Sequence, residues 1–327
     1  SSSDVGVVGY TLGGGIGPFI RRYGYAVDRV RRIQLVTGDA VIREVTADSD
    51  RELFDAVLGG QDIAGIVTEL EFELIEAPRI YGGGLIYDSA DAAAVLHAWR
   101  RWAPTLPEEM TTSVAILRVP DIEDAPPPLR GRTVIHLRVC FLGSAERGRE
   151  LLAPMRAVAT PQMDMVDAMS YAAIDTVHLD PPNPLPFSFD GTTLRDVDAA
   201  TIDALLAVAG PEQDIPAFVV ELRHLDGALA RSTQGCVTRQ DVRFLLGVVS
   251  PMLPELAEIV PAMLAGILEA SAPWAAPCTP VTWVNPSRGT GRPEVAWGPA
   301  QRAALESVRR RVDPDGRCGA ARVGLAG

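Results

Sequence analysis

VGYTLGGGIGPFIRRYGYAVDRV runs from Val8 to Val30, and five of its glycines fall between Val8 and Gly17. Glycine loses more backbone entropy on folding than any other residue. A run of it therefore marks a sharp turn or a close approach of the main chain to something else. The order G-G-G-x-G is not the G-x-G-x-x-G of a doubly wound nucleotide domain. No clear strand precedes it, and no crossover helix with an acidic residue follows at the right distance. The G-K-[ST] of a phosphate loop is also missing. On the glycines alone two readings stay open: a tight turn, or a ligand loop whose N–H groups cradle a pyrophosphate.

Outward from this stretch, Arg31–Val45 reads as two strands joined at Gly38-Asp39. Asp48–Gly60 reads as a short helix, acidic in its first turn and closed by glycine. In GIVTELEFELIEAP, Ile66, Thr68, Leu70, Phe72 and Leu74 alternate with Val67, Glu69, Glu71 and Glu73. That period of two predicts a strand with the first set buried and the second wet. A new unit opens with a helix capped by Ser89 or Asp91 that gathers Val95, Leu96, Trp99 and Trp102 on one side. Strands are expected at Thr112–Val119 and Thr133–Leu142, the second with His136, Arg138 and Cys140 opposite its apolar face. Helices follow at Glu146–Ala157 and Asp198–Ala209. The proline-rich His178–Gly191 cannot be regular over most of its length. AFVVELRHLDGALA is a further strand, with Glu221 and Arg223 on one face and Val220, Leu222 and His224 on the other. DVRFLLGVVS continues the strand pattern. Pro251–Ala270 reads as an apolar helix that Pro261 should kink or divide, and a last helix ends before Pro314. Strands and helices alternate, with charges on the exposed strand faces. The pattern implies an α+β fold in which helices cover one side of an antiparallel sheet.

The 327 residues suggest two domains, or one with a large insertion. The formal net charge of −12 makes the chain a poor general binder of nucleic acid, and no apolar run approaches a membrane span. The expected partner is a small molecule, with neither nucleic acid nor membrane, and homo-oligomerisation is left open. There is no lysine; all basic side chains are arginine, as suits a GC-rich genome. Cys140, Cys236, Cys278 and Cys318 are scattered without C-x-x-C spacing. No zinc or other metal site is expected, and the usage suits a reducing, cytoplasmic compartment.

The opening stretch resembles the second flavin-subdomain segment of the FAD-linked oxidases, the family typified by vanillyl-alcohol oxidase and the berberine bridge enzyme. Gly9, Leu12 to Gly15, Gly17, Arg22, Tyr23, Gly24, Ala26, Asp28 and Val30 match its pattern, and Tyr25 replaces the usual leucine. Leu53, Phe54, Ala56, Gly59, Gly60, Gly65, Ile66, Val67, Thr68 and Phe72 match the next segment in order. There Asp55 stands at the tryptophan place and QDIA fills the glycine-rich stretch. Arg223–Ala230 is similar to the R-H-x-G-G-A segment of bacterial berberine-bridge-like members, and Asp313, Pro314 and Asp315 match their closing segment.

The resemblance implies a partial PCMH-type FAD-binding domain and a substrate domain with an antiparallel sheet flanked by helices. The expected bounds are 1–78 for the second part of the FAD-binding domain, 79–284 for the substrate domain, and 285–327 for a segment returning to the first. It implies an FAD-dependent oxidoreductase acting on a small organic substrate, an alcohol, amine or similar carbon, with O2 or another acceptor reoxidising the flavin. The family's N-terminal flavin subdomain has no counterpart here, since only twelve residues precede Gly13. A rival expectation follows: a fragment or flavin-free remnant that serves as a scaffold or small-molecule binder. The resemblance points to Gly9, Thr11, Gly13, Gly14, Gly15 and Gly17, with Gly65, Ile66 and Val67, as flavin-contacting backbone. Oxidation at carbon needs a hydride path to the flavin and often a base to take the other proton. Tyr171, His178, Arg223 and His224 are the catalytic candidates. Against these stand plainer readings: His224 as a core histidine on an apolar face, Arg223 as half of a surface ion pair with Glu221.

Overall fold

The computed structural model describes residues 3–123, 125–180, 183, 186–284 and 293–318. Its helices and strands follow one another as α1 (Val7–Leu12), α2 (Ile20–Tyr23), β1 (Val30–Thr37), β2 (Ile42–Val45), α3 (Arg51–Gly60) and β3 (Gly65–Phe72). Next come β4 (Arg79–Asp88), α4 (Ala92–Trp102), β5 (Met110–Arg118), β6 (Thr133–Phe141), α5 (Ala145–Arg156), β7 (Met163–Asp164), β8 (Asp167–Ser170) and β9 (Phe187–Leu194). The series closes with α6 (Ala199–Ala209), β10 (Val219–His224), β11 (Phe244–Pro251), α7 (Ile259–Ser271), α8 (Pro293–Ala296) and α9 (Pro299–Val312). Two compact units result.

The first unit takes Ala77–Asp226 and Asp241–Ala276. Its sheet has the strand order β7-β4-β6-β5-β10-β11-β9, with β8 also on β4. Neighbouring strands run antiparallel. One face meets α4, α5, α6 and α7 across a core of Val114, Ile135, Leu137, Val220, Leu222, Phe244 and Leu246. Trp99 is sealed into that core edge-on to Phe244, 5.9 Å between ring centroids. Its indole N–H is not left bare, because it donates to Thr112 Oγ1 at 3.2 Å. Asp88, rather than Ser89 or Asp91, accepts the Ala90 N–H ahead of α4. Pro261 does not kink the helix. Pro251 ends β11, and α7 begins at Ile259, so the proline sits in the first turn. A missing N–H costs nothing there.

The second unit takes Asp4–Glu76, Gly227–Gln240 and the segment from Pro277 on. The strip Gly227–Gln240 was expected inside the substrate domain; Asp28 holds it in this unit instead. One Asp28 carboxylate oxygen accepts from Ser232 Oγ (2.6 Å) and Arg239 Nη2 (2.6 Å), the other from the Tyr25 N–H (2.8 Å). Tyr25 is fully buried; its hydroxyl donates to Thr238 O (3.1 Å), and the Arg239 guanidinium lies 5.0 Å from its ring centroid. α3 packs on α9, and Asp50 both caps α3 and pairs with Arg311 at 2.7 Å. The expected start of the C-terminal segment at Asn285 lies outside the described residues.

The sheet of this unit has the order β2-β1-β3. β3 corrects the expected alternation. Leu35 pairs with Val67, but Ile33 pairs with Leu70, a register shift between Gln34 and Leu35. One extra residue reverses the parity of everything beyond it. Gly65, Val67 and Leu70 therefore line up with the buried side chains of β1. Ile66 is 71% exposed, and Phe72 and Leu74 are exposed as well. The outer face carries an ion-pair cluster in which Arg32 meets Glu44, Glu69 and Glu71.

Candidate functional site

In the second unit, α1 ends on Gly13, and Gly14 (φ 115°) and Gly15 (φ 79°) take left-handed backbone that favours glycine. The chain itself fills most of the space the glycines leave. A Cβ on Gly13 would stand 1.9 Å from Thr282 Cγ2, and one on Gly15 2.4 Å from Ala26 Cβ. On Gly17 it would stand 2.9 Å from the Tyr10 hydroxyl, and on Gly65 2.3 Å from Val36 O. Gly9 alone of the expected flavin glycines has nothing within 4 Å of that position. Gly9 and Thr11 are helical, their backbone taken up in α1. The Gly14 N–H donates to Thr11 O at 2.8 Å, and the Gly14 and Gly15 carbonyls accept from Val27 and Ala26. The N–H groups of Gly15, Ile16 and Gly17 find no acceptor among the described residues, although Gly15 and Ile16 are buried. Buried N–H groups rarely stay orphaned, so this run is a donor set in want of an acceptor.

In the first unit, the sheet face turned away from the helices is the polar one. Strand register lays Gly84, Arg138, Ser113, Arg223 and Leu245 in one row across it, and Ile86, His136, Ala115, Glu221 and Gly247 in the next. These charges were expected on a wet face. They are instead buried: the Arg138 and Glu221 side chains are 5% and 4% exposed. Arg138 Nη1 donates to Glu221 Oε1 at 2.6 Å, and Arg223 Nε to Glu221 Oε2 at 2.7 Å, so one carboxylate is shared by two guanidinium groups. Burial alone would push Glu221 up; Arg223 and Arg138 override it and hold its carboxyl well below the ordinary range. Arg138 Nε also donates to His136 Nδ1 (3.1 Å), which places the imidazole proton on Nε2. That Nε2 fills the space over Gly84, 2.1 Å from where a Cβ would be.

The expected catalytic residues divide between the two faces. His178 follows the 3-10 segment Tyr171–Val177, and its carbonyl accepts weakly from Arg138 Nη2 at 3.5 Å. Its Nδ1 is buried without a hydrogen-bond partner among the described residues. Burial, then the charges of Arg138 and Arg223, keep the ring neutral far below its ordinary titration range. His178 and Arg223 thus share the Glu221 cluster. His224 does not: alternation along β10 puts it on the helix side, where it is fully buried and stacks on Phe244 at 5.1 Å. Tyr171 opens the 3-10 segment that leads to His178, within electrostatic reach of Cys140. Burial, with Cys140 and Asp175 adding to it, pushes its phenol up, away from a phenolate.

No family model matches the chain. The FAD-linked oxidoreductase azaG of Aspergillus niger is 28% identical over 181 residues, which is 54% of this chain and 36% of that protein. The relatives of this chain are FAD-linked oxidoreductases. Solved FAD enzymes share the fold. Physcomitrella patens BBE-like 1 superposes with a TM-score of 0.83 at 15% identity, over 99% of this chain and 71% of that one. A glucooligosaccharide oxidase from Acremonium strictum, which carries a 6-S-cysteinyl, 8α-N1-histidyl FAD, gives 0.80 at 19% identity, over 96% and 70%. The chain spans about a third to a half of the length of the FAD-linked oxidoreductases azaG and its Dictyostelium discoideum relative. As the resemblance implied, the fold is the mixed, antiparallel-sheet architecture of the berberine-bridge-like oxidases. Sequence reasoning missed the part played by Arg138 and His136. Their only signal was sharing a strand face, and Glu221, the partner of Arg138, lies 83 residues away along the chain.

Proposed function

We propose that the protein is an FAD-dependent oxidoreductase that oxidises a carbon of a small organic substrate, with O2 or another acceptor taking the electrons onward. The observation that carries this reading is the set of unclaimed N–H donors at Gly15, Ile16 and Gly17, in a chain whose relatives are FAD-linked oxidoreductases. Such donors suit the pyrophosphate or the ring carbonyls of FAD. Gly9, Thr11, Gly13 and Gly14 would line the same approach, with Gly65, Ile66 and Val67 on the strand edge. Bound FAD supplies a two-electron acceptor.

The chain's own part in the reaction is to place the substrate and to receive a proton. His178 is the candidate base on geometry, because its Nδ1 has no hydrogen-bond partner among the described residues; burial and the two arginines lower its basicity, which bound substrate would have to restore. Glu221, held as a fixed anion by two arginines, is too weak a base for that task and positions Arg138 and Arg223 instead. Tyr171 stays protonated and acts as a hydrogen-bond donor. His224 supports the sheet from the other face. The four cysteines carry no disulfide, which suits a reducing cytoplasmic setting. No described helix is long and apolar enough to cross a membrane.

Titration of the purified chain with FAD tests the reading. Saturable quenching of flavin fluorescence, followed by bleaching of the bound flavin by an oxidisable substrate, is the expected result. FAD that stays free at every protein concentration overturns it. That outcome would favour the flavin-free scaffold, which draws support from Thr282, Ala26 and Tyr10 occupying the room beside the glycines.

A further inference from the structure

Five non-glycine residues among those described have left-handed backbone: Ala40, Gln61, Leu179, Asp226 and Asp241. Aspartate visits this region with some ease, and Ala40 and Gln61 carry unbranched side chains. Leu179, with φ 56°, is the bulky apolar member of the set. It stands directly after His178, which closes the 3-10 segment Tyr171–Val177 in right-handed backbone (φ −94°, ψ −17°). Just past a helix end, glycine or sometimes asparagine usually makes the left-handed turn. A leucine there carries a steric cost that glycine would not. Such strain persists only where the surroundings hold it, and it gathers at functional sites.

Two contacts hold this turn. The Leu179 side chain packs on a small apolar cluster built on Ile86, Leu129 and Val134, with Met163 and Met165 around it. The cluster is separate from the helix-side core. Strand register puts its Ile86 beside His136, in the row that also contains Glu221. The second contact is on the same peptide link, whose carbonyl belongs to His178 and meets Arg138 Nη2 at 3.5 Å. That arginine also donates to His136 and Glu221. The strained link is therefore pinned by apolar burial on one side and by the charged array on the other. Glycine or asparagine at 179 would ease the backbone and give up the apolar contact.

We propose that Leu179 is the positioning residue of His178: its apolar anchor holds the strained turn that keeps the imidazole at the Arg138–Glu221–Arg223 array. This rests on the oxidoreductase reading above for the role of His178 as base; the positioning itself does not require flavin. A base works only if its ring is held in one orientation against the atom that gives up the proton. An anchored leucine fixes that orientation. A relaxed turn lets the ring swing toward water, away from Arg138, Arg223 and Glu221, the charged side chains that act on it.

The test is an NMR pH titration of the imidazole signals in the purified 327-residue chain, with His178 assigned by the loss of its signals in His178→Gln. Leu179→Asn and Leu179→Gly accept left-handed backbone but lack the anchor, whereas Leu179→Met keeps an apolar anchor of similar volume. In the first two, His178 should titrate about one pH unit or more closer to the ordinary 6.5. In Leu179→Met it should titrate as in the parent chain. The signals of His224, on the opposite face of the sheet, should stay in place throughout and report an intact fold. A leucine with a merely structural role would instead lower the urea midpoint and leave the His178 titration unmoved. That result, or Leu179→Met titrating like Leu179→Asn, would overturn the inference. If the Asn and Gly variants do not fold, Leu129→Ala thins the seat of the anchor and leaves the turn residue in place. His178 should then move in the same direction, and an unmoved His178 overturns the inference. The two readings fail separately. A chain that takes up no FAD but whose His178 follows residue 179 keeps the positioning and loses the flavin reading; FAD uptake with a His178 indifferent to residue 179 does the reverse.

Discussion

The glycine run of the second unit and the charged rows of the first make opposite use of their residues. The glycines have the outward form of a ligand loop, yet Thr282, Ala26 and Tyr10 occupy most of the room they leave. Among the described residues, the N–H groups of Gly15, Ile16 and Gly17 are what remains for a ligand. The charged strand residues have the outward form of a solvated sheet face, yet Arg138 and Glu221 are almost fully enclosed, and His136 and His178 are kept neutral among them. A motif made of missing side chains is easily satisfied by the protein itself. A buried charge is not, and so its partners are the more informative feature.

The comparison breaks most readily at the arginine. Arg138→Ala leaves Glu221 enclosed with one partner fewer and removes the donor to His136, so it should cost about 3–5 kcal/mol in urea unfolding. A loss under about 1 kcal/mol would mean that the row is wet after all.

Acid gives the next effect. His136 and His178 stay neutral in the folded chain, whereas in the unfolded chain they protonate around the ordinary value of 6.5. Below that pH the unfolded state binds more protons, so stability falls as pH falls, by about 1.4 kcal/mol per pH unit for each histidine. Glu221 works in the same direction at lower pH. Its contribution is complete above the ordinary carboxylate value of 4.5 and is lost as the pH falls through its depressed one. Urea midpoints measured between pH 7.5 and about 5 should show the slope, and His178→Gln should remove half of the histidine part.

The glycines give the smallest effects and the sharpest contrast. Gly13→Ala drives a methyl into the stiff, β-branched Thr282 and should cost about 1–3 kcal/mol, with Thr282→Ser restoring much of it. Gly9→Ala meets nothing and lies within α1, so it should gain about 0.5–1 kcal/mol in thermal unfolding. If FAD passes over Gly9, the same substitution weakens FAD retention without harming stability.

Much of the architecture could be read from residue order. Trp99 and Trp102 mark the buried side of α4, and the apolar alternation along β6 and β10 marks two central strands. The core position of His224 also followed from parity. Parity states which residues share a face and is silent on whether water reaches it, which is why Arg138 and Glu221 were misjudged. In β3 even parity failed, because the bulge opposite Gln34 and Leu35 depends on pairing with a distant strand. The Glu221 cluster joins residues 83 apart in sequence, and nothing local to either strand announces it.

The most direct measurement is the pH titration of the His178 imidazole by NMR in the intact chain. The account predicts a ring still neutral well below pH 6.5, moving back toward that value when Arg223→Gln removes one of the two guanidinium groups. A His178 that titrates at about 6.5, unmoved by Arg223→Gln, would contradict it.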